Sequence, residues 1–237
     1  MAAEFRGLSS RTILASLRTA RSAAVAGLAF AIAFTVTLLL FRSAFPVGSL
    51  ADATQVPSPD ALQRGQWALL LLPYVAITFI WFMAALTYSL GHADTRLFTT
   101  VFLASGITFV ALVCVAGAVA SAELETLAAG IDINSGARAI PGSTVNALLL
   151  NYSARMAAVF CLSLATFGRV RKLLPGWLTL LGTLTGLFLL LVPFGLRYIE
   201  YVFPAWIAVL SVYLIVADPG GKWRARLQEQ MQDPEQA

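Results

Sequence analysis

The chain has 237 residues, of which 59% are hydrophobic and only 12% charged, with a formal net charge of +4 and a mean hydropathy of +0.79. A soluble domain carries about a quarter charged residues, so this composition excludes an ordinary water-soluble enzyme and makes lipid the solvent. The criterion is then whether the apolar residues come in runs long enough to cross ~30 Å of hydrocarbon.

A basic segment, residues 1–22, precedes the first run, Ala23 to Phe41. That run holds no charge, and its 19 residues exceed the usual apolar core of a signal peptide, about 7 to 15 residues. It is therefore read as a retained span, although Ala51, Asp52 and Ala53 resemble a cleavage site. The loop from Arg42 to Gln66 contains Pro46, Pro57 and Pro59, which are expected to break any long helix. The second run is Trp67 to Leu90 and the third Phe98 to Ala120. The third is expected to extend through "AELETLAAG" and then turn at "NSGARAIPG". The fourth run is Val145 to Phe167, the fifth Trp177 to Phe194 and the sixth Val202 to Ala217. The sixth is short, about 24 Å as a straight helix, so its first turn is expected to begin before Pro204, a residue tolerated near a helix start. A tail, residues 218–237, completes the chain.

Basic loops resist translocation, so the distribution of Lys and Arg sets the threading. With the N-terminus inside, Arg6, Arg11, Arg18, Arg21, Arg96, Arg169, Arg171, Lys172, Lys222, Arg224 and Arg226 are cytoplasmic. Only Arg42, Arg64, Arg138 and Arg197 fall outside. The expected fold is thus an all-α integral membrane bundle of six transmembrane helices with both termini cytoplasmic. Sequential helices should mostly be neighbours. The basic ends read first as topology signals, and they also suit anionic lipid at the cytoplasmic face. The surplus positive charge needs no nucleic-acid partner.

Lipid gives helices little hydrophobic reason to associate, so small residues should mark the contacts. Ala23, Gly27 and Ala31 repeat every four residues on the first span, Ala116 and Ala120 on the third, and Gly182 and Gly186 on the fifth. These are expected first as contacts within the bundle and second as faces for a homo-oligomer or a membrane-protein partner.

The usual catalytic constellations do not occur in the sequence. The one histidine, His92, sits near Asp94 in a short hairpin and reads as half of a solvated loop pair. Cys114 and Cys161 lie within spans without redox or zinc spacing and read as packing residues. None of the six runs contains Asp or Glu, which disfavours a proton-driven pump or cation channel. No cofactor and no metal are expected.

Arg155 is the exception, standing near the middle of the fourth run. An unpaired charge at that depth costs at least about 2.5 kcal/mol. At 100° per residue Thr144, Asn151, Tyr152, Arg155, Val159, Leu162 and Thr166 share one broad face, which is expected to point into the bundle. The second span carries a stripe of Tyr74, Thr78, Trp81, Ala85 and Tyr88, with Thr78 and Trp81 near the depth of Arg155. The guanidinium is expected over the Trp81 ring or bonded to Tyr74 and Asn151. The carboxylates Glu123, Glu125 and Glu200 sit at the outer ends of helices, about 15 Å above Arg155. Two readings stand. Arg155 is held by amides, hydroxyls and carbonyls, or its counter-ion is a bound anion such as a lipid phosphate or substrate carboxylate. The first is preferred, because intramembrane arginines pair readily with backbone.

The stretches "WFMAALTYSLGHADTRLFTTVFLASG", "SARMAAVF", "LPGWLTLLG" and "VFPAWIAVLSVYLIV" give the chain after Trp67 a pattern that resembles a group of small multi-pass membrane proteins of actinobacteria. The resemblance implies a bacterial plasma-membrane setting. It also implies shared positions at Trp81, Phe82, Thr100 to Phe102, Arg155, Phe203, Pro204 and Trp206, and it carries over no catalytic residue. The functional expectation is a non-catalytic accessory or scaffold subunit. The alternative is a binding or transport protein for a small anion or anionic lipid, with Arg155, Asn151, Tyr152, Tyr74, Thr78 and Trp81 as the site.

Overall fold

The computed structural model describes residues 2–44, 58–90, 96–129, 135–170, 174–191 and 198–216, with side chains from residue 21 onward and not at 88–90, 96–98 or 135–139. The tail 218–237, the His92–Asp94 hairpin and the Ala51–Asp52–Ala53 pattern lie outside the described residues.

All the regular structure among the described residues is helical. In chain order the helices are α1 (Ala2–Ala44), α2 (Pro59–Leu90), α3 (Arg96–Ala128), α4 (Ser135–Asn146), α5 (Ser153–Val170), α6 (Gly176–Leu191) and α7 (Val202–Val216). A π-helical turn, Ala147–Tyr152, joins α4 to α5, and a 3-10 turn, Ile199–Tyr201, leads into α7. Five segments are long and apolar enough to cross a membrane: Arg21–Ala44, Pro59–Thr87, Thr99–Ala128, Ile140–Val170 and Ile199–Val216. The expected fifth run appears as α6, an apolar helix of 16 residues.

Several element boundaries depart from the sequence expectation for local reasons. Pro59 does not break a helix but opens one. Ser58 caps α2 through its hydroxyl, which accepts from the Ala61 N–H at 3.2 Å, Pro59 stands at the first helical position and Asp60 follows in the first turn. α3 continues through the "AELETLA" segment as expected, but "SGARAIPG" is the start of α4 rather than a turn. The last span begins before Pro204, as its length requires, with the 3-10 turn supplying the extra residues.

The helices form a ring of neighbours. α1 lies along α2 and α7, α2 along α3, α3 along α5, α5 along α6, and α6 meets α7. Phenylalanines fill the centre. Phe79 of α2 has ring centroids 4.6 Å from Phe30 of α1, 5.1 Å from Phe109 of α3, 5.2 Å from Phe160 of α5 and 5.8 Å from Phe203 of α7. All five rings are buried. Tilted and edge-on pairs of this kind are worth about 0.5–1.5 kcal/mol each beyond area burial, so one side chain ties five helices together.

Small residues let the backbones close up around that core. Gly27 sits where an added Cβ would stand 2.8 Å from the Phe82 ring, and Gly186 where it would stand 2.7 Å from Leu162 and 3.0 Å from the Ala158 carbonyl. Gly182 lies against Trp206, while Ala23, Ala31, Ala116 and Ala120 are buried. Threonine hydroxyls are disposed of locally: those of Thr35, Thr37, Thr87, Thr108 and Thr166 each donate to the carbonyl four residues back.

Candidate functional site

Arg155 lies midway along the Ile140–Val170 span, in the first turn of α5. The chain reaches it through the π turn, where the Ser153 N–H donates to the Leu148 carbonyl, five residues back. Widening the helix there realigns the carbonyls, and side chains donate to two of them. The Ser153 hydroxyl bonds the Leu149 carbonyl, and Arg155 Nη1 bonds the Asn151 carbonyl at 3.0 Å. The guanidinium is thus held at half burial against its own helix. Single π turns inside α-helices concentrate at functional sites, which makes this segment a candidate in its own right.

The expected partners from α2 are not brought to Arg155. α2 turns Ala68, Leu72, Val75, Phe79, Phe82, Met83 and Leu86 into the bundle. Tyr74 and Trp81 are 59% and 68% exposed on its opposite face, and the Thr78 hydroxyl donates back to the Tyr74 carbonyl at 2.8 Å. The expectation for α5 also needs correction. Its inward face is Ala154, Ala157, Ala158, Cys161, Leu164 and Ala165, whereas Tyr152 is 60% exposed and Asn151, Arg155 and Leu162 lie at the half-buried edge. On α5 side-chain size decided the matter over polarity. A stripe of alanines permits the close approach that helices in lipid need, and a stripe of asparagine, tyrosine and arginine does not.

A second polar cluster forms at one end of the bundle. Arg42, in the last turn of α1, places Nε 2.6 Å from Oε1 of Glu200 in the 3-10 turn, with side-chain exposures of 18% and 4%. The arrangement also suits the helix dipoles, with a cation at a helix C-terminus and an anion at a helix start. Tyr198 covers the pair from outside, its ring centroid 4.5 Å from the Arg42 guanidinium carbon. To do so it adopts φ 72°, ψ 11°, a left-handed conformation that is uncommon for a non-glycine residue. A small cavity beside the pair is lined by Arg42, Glu200, Asn146, Leu149 and Leu150, among others. One wall is therefore the π turn, one turn or so before Arg155.

Sequence reading placed Arg42 and Glu200 on the same side of the membrane yet did not pair them. The available signal was the combination of opposite charges at the end of one span and the start of another that runs back from the same side. Among the described residues no group of three His, Cys, Asp or Glu side chains could hold a metal ion. Comparison with protein-family models, curated proteins and solved structures returns no match.

Proposed function

We propose that this chain is a multi-pass protein of the bacterial plasma membrane, serving as a non-catalytic accessory or scaffold subunit. The observation that carries the reading is the aromatic centre. Phe30, Phe79, Phe109, Phe160 and Phe203 meet from five helices in the buried centre of the bundle, where a transporter would keep a polar, water-accessible route. The Arg155 guanidinium bonds a carbonyl of its own helix, which favours the structural over the anion-binding account of this residue. The outward aromatic stripe of α2, with Tyr74 and Trp81, is left for a neighbour in the membrane.

The test is photocrosslinking from positions 74 and 81 in native membranes, with an outward position on α6 such as Leu184 as control. A discrete protein adduct from α2 and none from α6 is the expected result. The reading fails if both faces label lipid alone while the purified protein in liposomes binds or moves a small anion and Arg155→Gln abolishes it. That outcome would install the alternative, a binding or transport protein with Arg155 as its charge contact.

A further inference from the structure

Glu200 poses a problem that its ion pair does not solve. Its side chain is 4% exposed, and among the described residues neither carboxylate oxygen accepts a hydrogen bond, nor does Arg42 Nε donate one. Charge is balanced at 2.6 Å, but the alignment leaves lone pairs and the N–H unserved. A carboxylate offers about four acceptor positions, and buried polar atoms in native proteins are nearly always hydrogen-bonded to protein or to internal water.

The cavity against this pair has the size and chemistry to serve them. It is partly open, has about 20 Å³ of water-sized room, and is lined by Arg42, Glu200 and Asn146 on its polar side and by Phe41, Leu149 and Leu150 on its apolar side. An internal water needs roughly 10–15 Å³ and two to four polar partners. We propose that the cavity is a binding site for a single water molecule, which donates to the Glu200 carboxylate and takes its remaining bonds from Arg42 Nε and the Asn146 amide. That room suits one water molecule. The paired charges sum to zero, so neither a metal cation nor an anion gains by entering. Bound there, the water ties the junction of α4 with the π turn to the ion pair that already joins the last turn of α1 to the entry of α7.

Hydroxyl-radical labelling by X-ray pulse of the full chain in lipid nanodiscs tests this, with water itself as the probe. Phe41 borders the cavity and Phe79 lies in the dry core; both rings are buried and share the same intrinsic reactivity. A bound water makes Phe41 label faster than Phe79. The double variant Arg42→Leu with Glu200→Leu keeps the volume and removes the polar partners, so its Phe41 rate should fall to that of Phe79. Equal rates in the wild type overturn the proposal, as does a Phe41 rate unchanged in a double variant that elutes and melts as a folded protein. Should the double variant not fold, a map of the wild type at a resolution that shows waters decides. One peak within hydrogen-bond distance of Glu200 upholds the site, and a cavity without one overturns it.

Discussion

Arg42 Nε lies 2.6 Å from Glu200 Oε1, so the end of the first membrane span is clasped to the start of the last. Removing one partner strands a buried charge, and Glu200→Leu or Arg42→Leu alone should cost about 3–5 kcal/mol. Replacing both by leucine should be close to neutral or stabilising, by about 1–4 kcal/mol, because desolvation of both ions is then avoided. Thermal unfolding in detergent micelles reads the three variants directly. Single variants that melt with the wild type would mean that the pair contributes no net stability.

The aromatic hub makes a sharper contrast between neighbours in sequence. Phe79→Ala opens a cavity among rings from four other helices and should destabilise by about 3–5 kcal/mol. Trp81→Ala, two residues on but 68% exposed, should stay within about 0.5 kcal/mol of the wild type. Unfolding in a mixed-micelle titration with a denaturing detergent would show the difference as a shift in midpoint for the first and almost none for the second.

That contrast also marks what the sequence made legible. Run length and charge placement disclosed an apolar helical bundle, the extension of α3 and the early start of the last span, since these depend only on local composition and helical rise. Which face of a helix points inward was another matter. On α2 both faces are uncharged and rich in rings, so a stripe of Tyr74, Thr78 and Trp81 looked as eligible as Val75, Phe79 and Phe82. Only the fit of rings against Gly27 and Phe30 from α1 separates them. The ion pair of Arg42 and Glu200 escaped because it depends on spatial neighbourhood between α1 and α7, which no single helix encodes.

Arg155→Gln should leave fold and bound lipids unchanged. A glutamine amide retains a donor for the Asn151 carbonyl, the acceptor that Arg155 Nη1 uses at 3.0 Å, and sheds the charge. The expected change in stability is under about 1.5 kcal/mol, the scale of one ordinary hydrogen bond. Native mass spectrometry of the gently extracted protein checks both points at once. A defined anionic lipid or metabolite carried by the wild type and lost in the variant would shift Arg155 from structure to ligand binding.

Close helix contacts predict a hierarchy among glycines. Gly186→Leu drives a side chain into Leu162 and the Ala158 carbonyl and should cost about 1–3 kcal/mol by overpacking. Gly142→Ala, with nothing within 4 Å of the new Cβ, should be neutral to slightly stabilising in the helix. Melting temperatures of the two variants rank them, and equal losses would contradict the packing described between α5 and α6.

The two cysteines report the bundle's inside and outside without any mutation. Cys114 is exposed on the outer face of its span and Cys161 buried, so a lipid-soluble photoactivated diazirine, which needs no thiolate, should label Cys114 and leave Cys161 until denaturant is added. Peptide mass mapping gives the site of each adduct. Modification of Cys161 at a comparable rate in the folded state would overturn the inward face assigned to α5.

The π turn between α4 and α5 acts as a spacer one residue thick. Closing a ring to the fifth carbonyl rather than the fourth inserts a residue without ending the helix, and each residue turns an α-helix by about 100°. Deleting Leu150 would therefore rotate α4 by a quarter turn or more relative to α5. Val145, now buried against Phe41, Ala68 and Ala120, would swing off that contact, and Asn146 would leave the cavity beside Glu200. The two halves of this long helix serve different neighbours, and a single supernumerary residue keeps them in phase.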